Sequence, residues 1–363
     1  MVQLSAAIKN GDSRTVHKLI SMDTALNRLI NANDNNGHMP LHNAARFDQV
    51  ETACLLIELH AKLNAKNRYD DTPLHVACKF GQWRTADLLI TFGADIEIRG
   101  QWQYTPLHAA AAEGKGNCID LLLRKGANPL ARTATDKDFA NTPLHLAAWF
   151  GKTESIYALL NKRLWSQQRL MELRECKNNQ HNTALHLAAF SGKVDAVDCL
   201  IVTGANFESR GKLGRQAIHM AAIQGHRDVV RLLLEKGAYA KSRSGQGSPD
   251  LAQTPIHLAS YHGNSGVIEA LLEHDPRLID LPCDYQKQTP LIRAITNFQV
   301  TSVETLLCRG ANPNLTDATG ASPISMARFL TADIASFRQA HARQQIIKLL
   351  TEYGASELNS VSE

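Results

Sequence analysis

A chain of 363 residues has the length of two or three ordinary globular domains. With 44% hydrophobic and 20% charged residues it is not a disordered polymer. The 39 Lys+Arg against 35 Asp+Glu leave a net charge of only +4, which argues against a general nucleic-acid coat. No run of roughly 18 apolar residues occurs, so a membrane span of the usual kind is excluded. The start, Met1 to Lys9, lacks the basic-then-apolar order of a signal peptide.

The length is also eleven times 33, and a repeat of that period is present. Taken in chain order, Met39-Pro40-Leu41-His42 returns as Thr72-Pro73-Leu74-His75, Thr105-Pro106-Leu107-His108 and Thr142-Pro143-Leu144-His145. Looser copies follow at Thr183-Ala184-Leu185-His186, Gln216-Ala217-Ile218-His219, Thr254-Pro255-Ile256-His257 and Thr289-Pro290-Leu291-Ile292. The steps between successive histidines are 33, 33, 37, 41, 33 and 38 residues. An apolar pair keeps the register behind each motif: Leu56-Ile57, Leu89-Ile90, Leu122-Leu123, Leu159-Leu160, Leu200-Ile201, Leu233-Leu234, Leu271-Leu272 and Leu306-Leu307. Leu4 with Leu19-Ile20 is a degenerate first copy, and Ile324 stretched to Leu349-Leu350 is an enlarged last one.

Each copy predicts two helices. Thr72 suits a helix N-cap and Pro73 its first position, where a missing N–H is harmless. Leu74, Ala77 and Cys78 then fall on one face. Gly81, Gly114, Gly151, Gly192, Gly225 and Gly263 end the first helix, with Asp48 and Phe298 in their place in two copies. The second helix carries the apolar pair and stops at Gly93, Gly126, Gly204, Gly237 or Gly310. The polar stretch that remains, such as Asp95 to Tyr104, predicts a hairpin-like loop. Extra residues near Leu164 to Leu173, before Thr183, read as helical, with Trp165, Leu170 and Met171 able to pack.

These motifs, their spacing and the second-helix pair resemble the ankyrin repeat family, from about Leu4 to about Ala355. The resemblance implies an all-α fold: an α-solenoid of about ten helix-turn-helix repeats with hairpin loops, curved with a concave binding face. It is expected to be one continuous domain over residues 1–355. That domain divides into an N-terminal cap at about 1–33, repeats at about 34–320 and an enlarged C-terminal cap at about 321–355, followed by a polar tail at 356–363.

The residues give no sign of chemistry. Seven of the fifteen histidines are motif histidines, and equivalent positions in stacked helices lie roughly 10 Å apart, too far to share a metal ion. Each is expected to hydrogen-bond within its loop-to-helix turn. The seven cysteines contain no Cys-x-x-Cys pair, and their odd number suits a reducing compartment. Neither a phosphate-binding Gly loop, a His-Glu-x-x-His motif nor a nucleophile elbow occurs, so no enzyme activity and no cofactor are expected.

Partner binding then falls to residues that the repeat itself does not require. Just before the first-helix Gly, aromatic side chains recur: Phe47, Phe80, Trp149 with Phe150, Phe190, and Tyr261. The resemblance implies that this column, with the loop tips, lines the concave surface, and aromatics are the usual interface anchors. A second column holds one cation per repeat for six repeats: Lys66, Arg99, Arg132, Lys177, Arg210 and Arg243. Arginine pairs in a planar fork with carboxylates and phosphates, and cations about 10 Å apart reinforce one another's field at moderate salt. Loop tips add Tyr69, Trp102, Tyr104 and Tyr285, and the longer loops Thr133 to Asn141 and Ser242 to Gln253 interrupt the regular edge.

The expected function is a non-enzymatic protein–protein interaction scaffold or adaptor. It would hold an acidic or phosphorylated segment of a partner protein on a concave, basic and aromatic surface. The alternative is nucleic-acid or phosphoinositide binding through the same ladder, made less favourable by the near-neutral charge. The expected setting is cytoplasmic and the expected state a monomer, since both ends read as caps. The ankyrin family also includes effectors that intracellular bacteria deliver into host cells, and the tail Ser356 to Glu363 is compatible with an export signal.

Overall fold

The computed structural model describes residues 2–21, 29–34, 37–133, 139–245, 252–283, 286–329 and 337–356. Tyr285, most of the tail and parts of both long loops lie outside the described residues. Among the described residues there are 21 α-helices and no strands. The chain divides into two compact units, Met1–Ala184 with Cys199–Ala205, and Leu185–Asp198 with Asn206–Glu363.

In the first unit, α1 (Val2–Lys9) and α2 (Ser13–Ser21) bury Leu4, Ala7, Ile8, Val16 and Ile20. Four regular pairs follow: α3 (Pro40–Arg46) with α4 (Val50–Glu58), α5 (Pro73–Phe80) with α6 (Trp83–Thr91), α7 (Pro106–Glu113) with α8 (Gly116–Arg124), and α9 (Pro143–Trp149) with α10 (Thr153–Leu159). First helices pack on first helices through α3, α5, α7 and α9, and second helices on second helices through α4, α6, α8 and α10. The motif leucines Leu41, Leu74, Leu107 and Leu144 are buried at these seams, each contributing about 1.5–3 kcal/mol. The extra residues expected to be helical form α11 (Gln167–Glu175), capped by Ser166 and burying Leu170 and Leu173. Trp165 donates Nε1–H to the Leu159 carbonyl at 3.0 Å, which fixes the entry to that insertion.

Next in the chain come α12 (Ala184–Phe190) and α13 (Val194–Val202). The second unit continues with α14 (Ala217–Gln224) and α15 (Arg227–Glu235), α16 (Pro255–His262) and α17 (Ser265–His274), and α18 (Pro290–Thr296) and α19 (Val300–Cys308). It ends with α20 (Pro323–Phe329) and the long α21 (Phe337–Glu352). Here too the seams run α14 to α16 to α18 to α20 and α15 to α17 to α19 to α21.

The first-helix stop is a backbone requirement rather than a preference for one residue. Gly81 closes α5 at φ 82°, in the left-handed region. Asp48 and Phe298, which replace glycine, keep that conformation at φ 55° and 54°. Asp48 offsets some of the cost of that conformation by accepting a hydrogen bond from the Thr85 hydroxyl at 2.9 Å.

In the hairpin loops a backbone bond joins the two ends, from Asn67 N–H to the Asp71 carbonyl at 2.9 Å, Gly100 N–H to Tyr104 at 2.8 Å and Gly211 N–H to Arg215 at 2.7 Å. The motif histidines hold these loops to the preceding helix. His75 Nε2 lies 2.9 Å from the Tyr104 carbonyl, which can only accept, so Nε2 is the protonated nitrogen. Nδ1 is then bare, and it accepts the Thr72 N–H at 3.3 Å and the Thr72 hydroxyl at 2.8 Å. The same reach joins His42 to Asp71, His108 to Asn141, His145 to Asn182, His186 to Arg215, His219 to Ser242 and His257 to Gln288. Sequence reasoning placed this bond inside one turn, whereas each imidazole also ties its own helix to the next loop. Burial pushes the pKa of His42 and His257 down to about 4 and that of His108 and His219 to about 3.

Candidate functional site

The side of the first unit formed by first helices and loop tips carries most of the expected residues. The turn Gln101–Gln103 places Trp102 at φ 54°, and its side chain is 65% exposed. Its ring meets Tyr104 edge-on, with centroids 5.7 Å apart, while Tyr104 stacks on the buried His108 at the same separation. The His108 clamp therefore supports the aromatic tip from beneath. Trp102, Tyr104 and Phe150 line a cleft of about 190 Å³ together with Lys79, Lys152, Asp71 and Glu113. The same three aromatics, with Phe139 and Leu146, border an adjoining hollow of about 350 Å³.

Other expected residues sit around this cleft without lining it. Phe80 is exposed and covered by the Arg46 guanidinium, 4.8 Å above its ring. Tyr69 is exposed, with the Arg68 guanidinium 4.6 Å from its ring and hydrogen-bonded to its hydroxyl. Trp149 is exposed beside Phe150, and Lys66 and Lys177 are exposed in their loops.

The cation column divides into two kinds of residue. Arg99 is half-buried, and its Nη1 donates to the Gln103 carbonyl at 3.0 Å and the Arg132 carbonyl at 2.7 Å. In the second unit Arg210 repeats the geometry, to the Gly214 carbonyl at 2.9 Å and the Arg243 carbonyl at 2.7 Å. These two arginines stitch a loop to its neighbour as well as supplying charge. Arg132 is exposed, and its Nη2 makes only a long contact, 3.6 Å, to Cys176 Sγ. Arg243 is half-buried, and Phe190 is half-buried with its carbonyl accepting His226 Nε2 at 2.9 Å. Tyr261 is half-buried beneath Arg293, whose guanidinium carbon lies 4.8 Å from the ring centroid.

Lys66, Lys79, Arg132 and Lys152 make no ion pair among the described residues. Second helices behave differently: Lys125 pairs with Asp87 at 2.8 Å, and in the other unit Lys236 with Asp198 at 2.7 Å and Arg231 with Glu273 at 2.6 Å. Positive charge on the loop side of the first unit is thus left for solvent or a ligand. No group of three or more His, Cys, Asp or Glu placed to hold a metal ion occurs among the described residues. No helix among them is long and apolar enough to cross a membrane.

Comparison with known proteins agrees with this architecture. The family model described as "Ankyrin repeats (3 copies)" matches residues 4–100, 84–168, 162–244 and 243–317. The chain belongs to the ankyrin repeat family. Among curated ankyrin proteins it is similar to "Ankyrin repeat protein nuc-2" of Neurospora crassa, 31% identical over 106 residues. That match spans 29% of this chain and 9% of the relative's length. Among solved structures it is similar to the human ASB11 ankyrin repeat domain, at a TM-score of 0.53 and 25% identity, covering 65% of this chain and 98% of that one. Ankyrin repeats are in general protein–protein interaction modules, not enzymes.

Sequence reasoning missed several residues of this surface. Phe139 lies in the long loop Thr133 to Asn141, which the sequence marks only as interrupting the regular edge, and no spacing announces that it shares a hollow with Trp102. Lys152 follows the first-helix Gly and lies in neither of the two columns, so nothing in the register marked it as lining the cleft.

Proposed function

We propose that this ankyrin chain is a scaffold or adaptor that holds an acidic or phosphorylated segment of a partner protein on the loop side of its first unit. The observation that supports this most directly is the cleft of Trp102, Tyr104 and Phe150 flanked by Lys79 and Lys152. An exposed aromatic pocket offers apolar anchoring, and its rim holds Lys79 and Lys152, which make no ion pair among the described residues, beside the carboxylates of Asp71 and Glu113. Lys66 and Arg132, both exposed and without an ion pair among the described residues, add positive charge to the loops of the same unit. A reducing, intracellular setting is part of the proposal, since all seven cysteines are free thiols.

The test compares wild type with two variants, Trp102→Ala/Phe150→Ala and Lys79→Glu/Arg132→Glu, in partner capture from lysate with each melting temperature recorded. Both variants are expected to lose the same captured protein while melting within a few degrees of wild type. Capture that survives both variants sinks the proposal. Capture of RNA or DNA with steep salt dependence selects the nucleic-acid reading instead.

A further inference from the structure

The second unit has no counterpart of the aromatic cleft at the matching register, and what stands there is cationic. Arg215 directly precedes the residue that opens the motif before α14, the place Tyr104 takes in the first unit. His262 ends α16 at the register position of Phe80, which ends α5, and of Phe150, which directly follows α9. Arg293 in α18 takes the position held by Val76, Ala109, Leu146, Leu187, Met220 and Leu258 in other repeats. A charge has therefore replaced an apolar side chain on a first helix, and α14, α16 and α18 pack in succession.

The groups are held by neutral neighbours. Arg293 lies on the Tyr261 ring at 4.8 Å and donates Nη1–H to Gln288 Oε1 at 3.2 Å. The Tyr261 ring in turn meets His262 at 80°, with centroids 5.2 Å apart. Asn297 Nδ2 donates to the Tyr261 carbonyl at 2.7 Å and fixes the end of that helix. None of the three helices contains an Asp or Glu. Among the described residues neither Arg215 nor Arg293 forms an ion pair, and the Nε of each is buried without a hydrogen-bond acceptor.

Partial burial of unpaired guanidiniums is unfavourable, and burying two near one imidazole is more so. Burial pulls both arginines below their ordinary range, and burial plus the Arg215 and Arg293 charges pulls His262 below its own. On the second helices of the same unit, by contrast, Arg227 and Arg231 are matched with Glu269 and Glu273. Among the described residues no carboxylate pairs with these two arginines, and an oxyanion, which a planar guanidinium fork binds in two places at once, would supply that charge.

We propose that Arg215, His262 and Arg293 form an oxyanion-binding site in the second unit, taking the phosphate or carboxylate group of a side chain on a partner polypeptide. That the group arrives on a polypeptide rests on the function proposed above; the site itself does not. The site is distinct from the aromatic cleft, because none of its residues lines that cleft.

The experiment follows the Arg Nε–Hε and His262 ring signals by NMR. The probes are inorganic phosphate and two short Gly/Ser peptides, identical except for a central phosphoserine or glutamate. Phosphate is expected to shift the Arg215, Arg293 and His262 signals together and saturably. Arg215→Gln/Arg293→Gln, with its fold checked by circular dichroism, is expected to weaken that response by roughly tenfold or more. Shifts no larger than those of the solvent-exposed Arg84, or shifts that survive in the double variant, overturn the site. Competition by a peptide supports the full proposal, and the tighter of the two identifies phosphate or carboxylate as the group. If phosphate saturates the site and neither peptide competes, the oxyanion site stands and its assignment to a partner segment falls.

Discussion

Arg99 donates a hydrogen bond to the backbone carbonyl of Arg132, 2.7 Å away and 33 residues further along the chain. Two residues of one cation column, one repeat apart, thus have different duties. The guanidinium of the first holds the loop that presents the second. The bond is charge-assisted and partly shielded from water, so it belongs to the stronger class of intramolecular hydrogen bonds.

Arg99→Gln is therefore expected to destabilise the first unit by about 1.5–3 kcal/mol, whereas Arg132→Gln is expected to change stability by less than about 0.5 kcal/mol, as surface substitutions do. Urea titrations of the two variants measure the difference. Arg210→Gln, which repeats the Arg99 geometry in the second unit, is expected to behave like Arg99→Gln. Equal stability of Arg99→Gln and wild type would show that these carbonyl contacts contribute nothing net.

The histidine clamps make stability depend on mild acid. In the unfolded chain an imidazole takes up a proton near pH 6.5, whereas burial holds His42 and His257 neutral down to about pH 4 and His108 and His219 down to about pH 3. The unfolded state therefore binds more protons throughout that window, and stability falls as pH falls through it. At pH 5.5 each of the four removes about 1.4 kcal/mol, before any ordinary carboxylate begins to titrate. The urea midpoint is expected to stay flat from pH 8 to 7 and then drop steadily below 6.5. A midpoint unchanged between pH 7.5 and 5 would refute the clamp tautomer.

The helices were legible because each rule acts within a few residues: a Thr cap, a Pro at the first position, a Leu seam, a left-handed stop. Phe298 shows how far that goes, since its place in the register announced the stop even though the residue is wrong for it. The aromatics of the cleft were legible too, Trp102, Tyr104 and Phe150 by type and column. What the register could not convey was how a side chain uses its length. Arg99 and Arg132 share one column, yet one reaches a carbonyl in the next loop and the other does not. Arg215 and Arg293 went unremarked for a related reason. They belong to no column, and their relation to His262 arises only when α14, α16 and α18 pack. Contacts that join repeats at separations of 23 to 37 residues, such as those of the motif histidines, leave no local pattern to read.

Gly100 gives the last prediction, because the reason for glycine there is space and not backbone angle. Its φ of −104° suits any residue. A Cβ built on it, however, would stand 2.6 Å from Asp71 Oδ1 and 2.8 Å from His75 Nε2. Asp71 accepts the Gln101 N–H at 3.0 Å and His75 holds the Tyr104 carbonyl at 2.9 Å, so both neighbours are fixed by bonds that shape the Trp102 tip. Neither can retreat without giving up one of those bonds. Gly100→Ala is expected to destabilise the first unit by about 1–3 kcal/mol, the usual range for overpacking. It is also expected to weaken partner capture, since the turn carrying Trp102 must move. Asp71→Ala combined with Gly100→Ala removes one of the two clashes and is expected to recover part of the stability lost in the single variant. No recovery in the double variant would locate the strain elsewhere than at the Asp71 carboxylate.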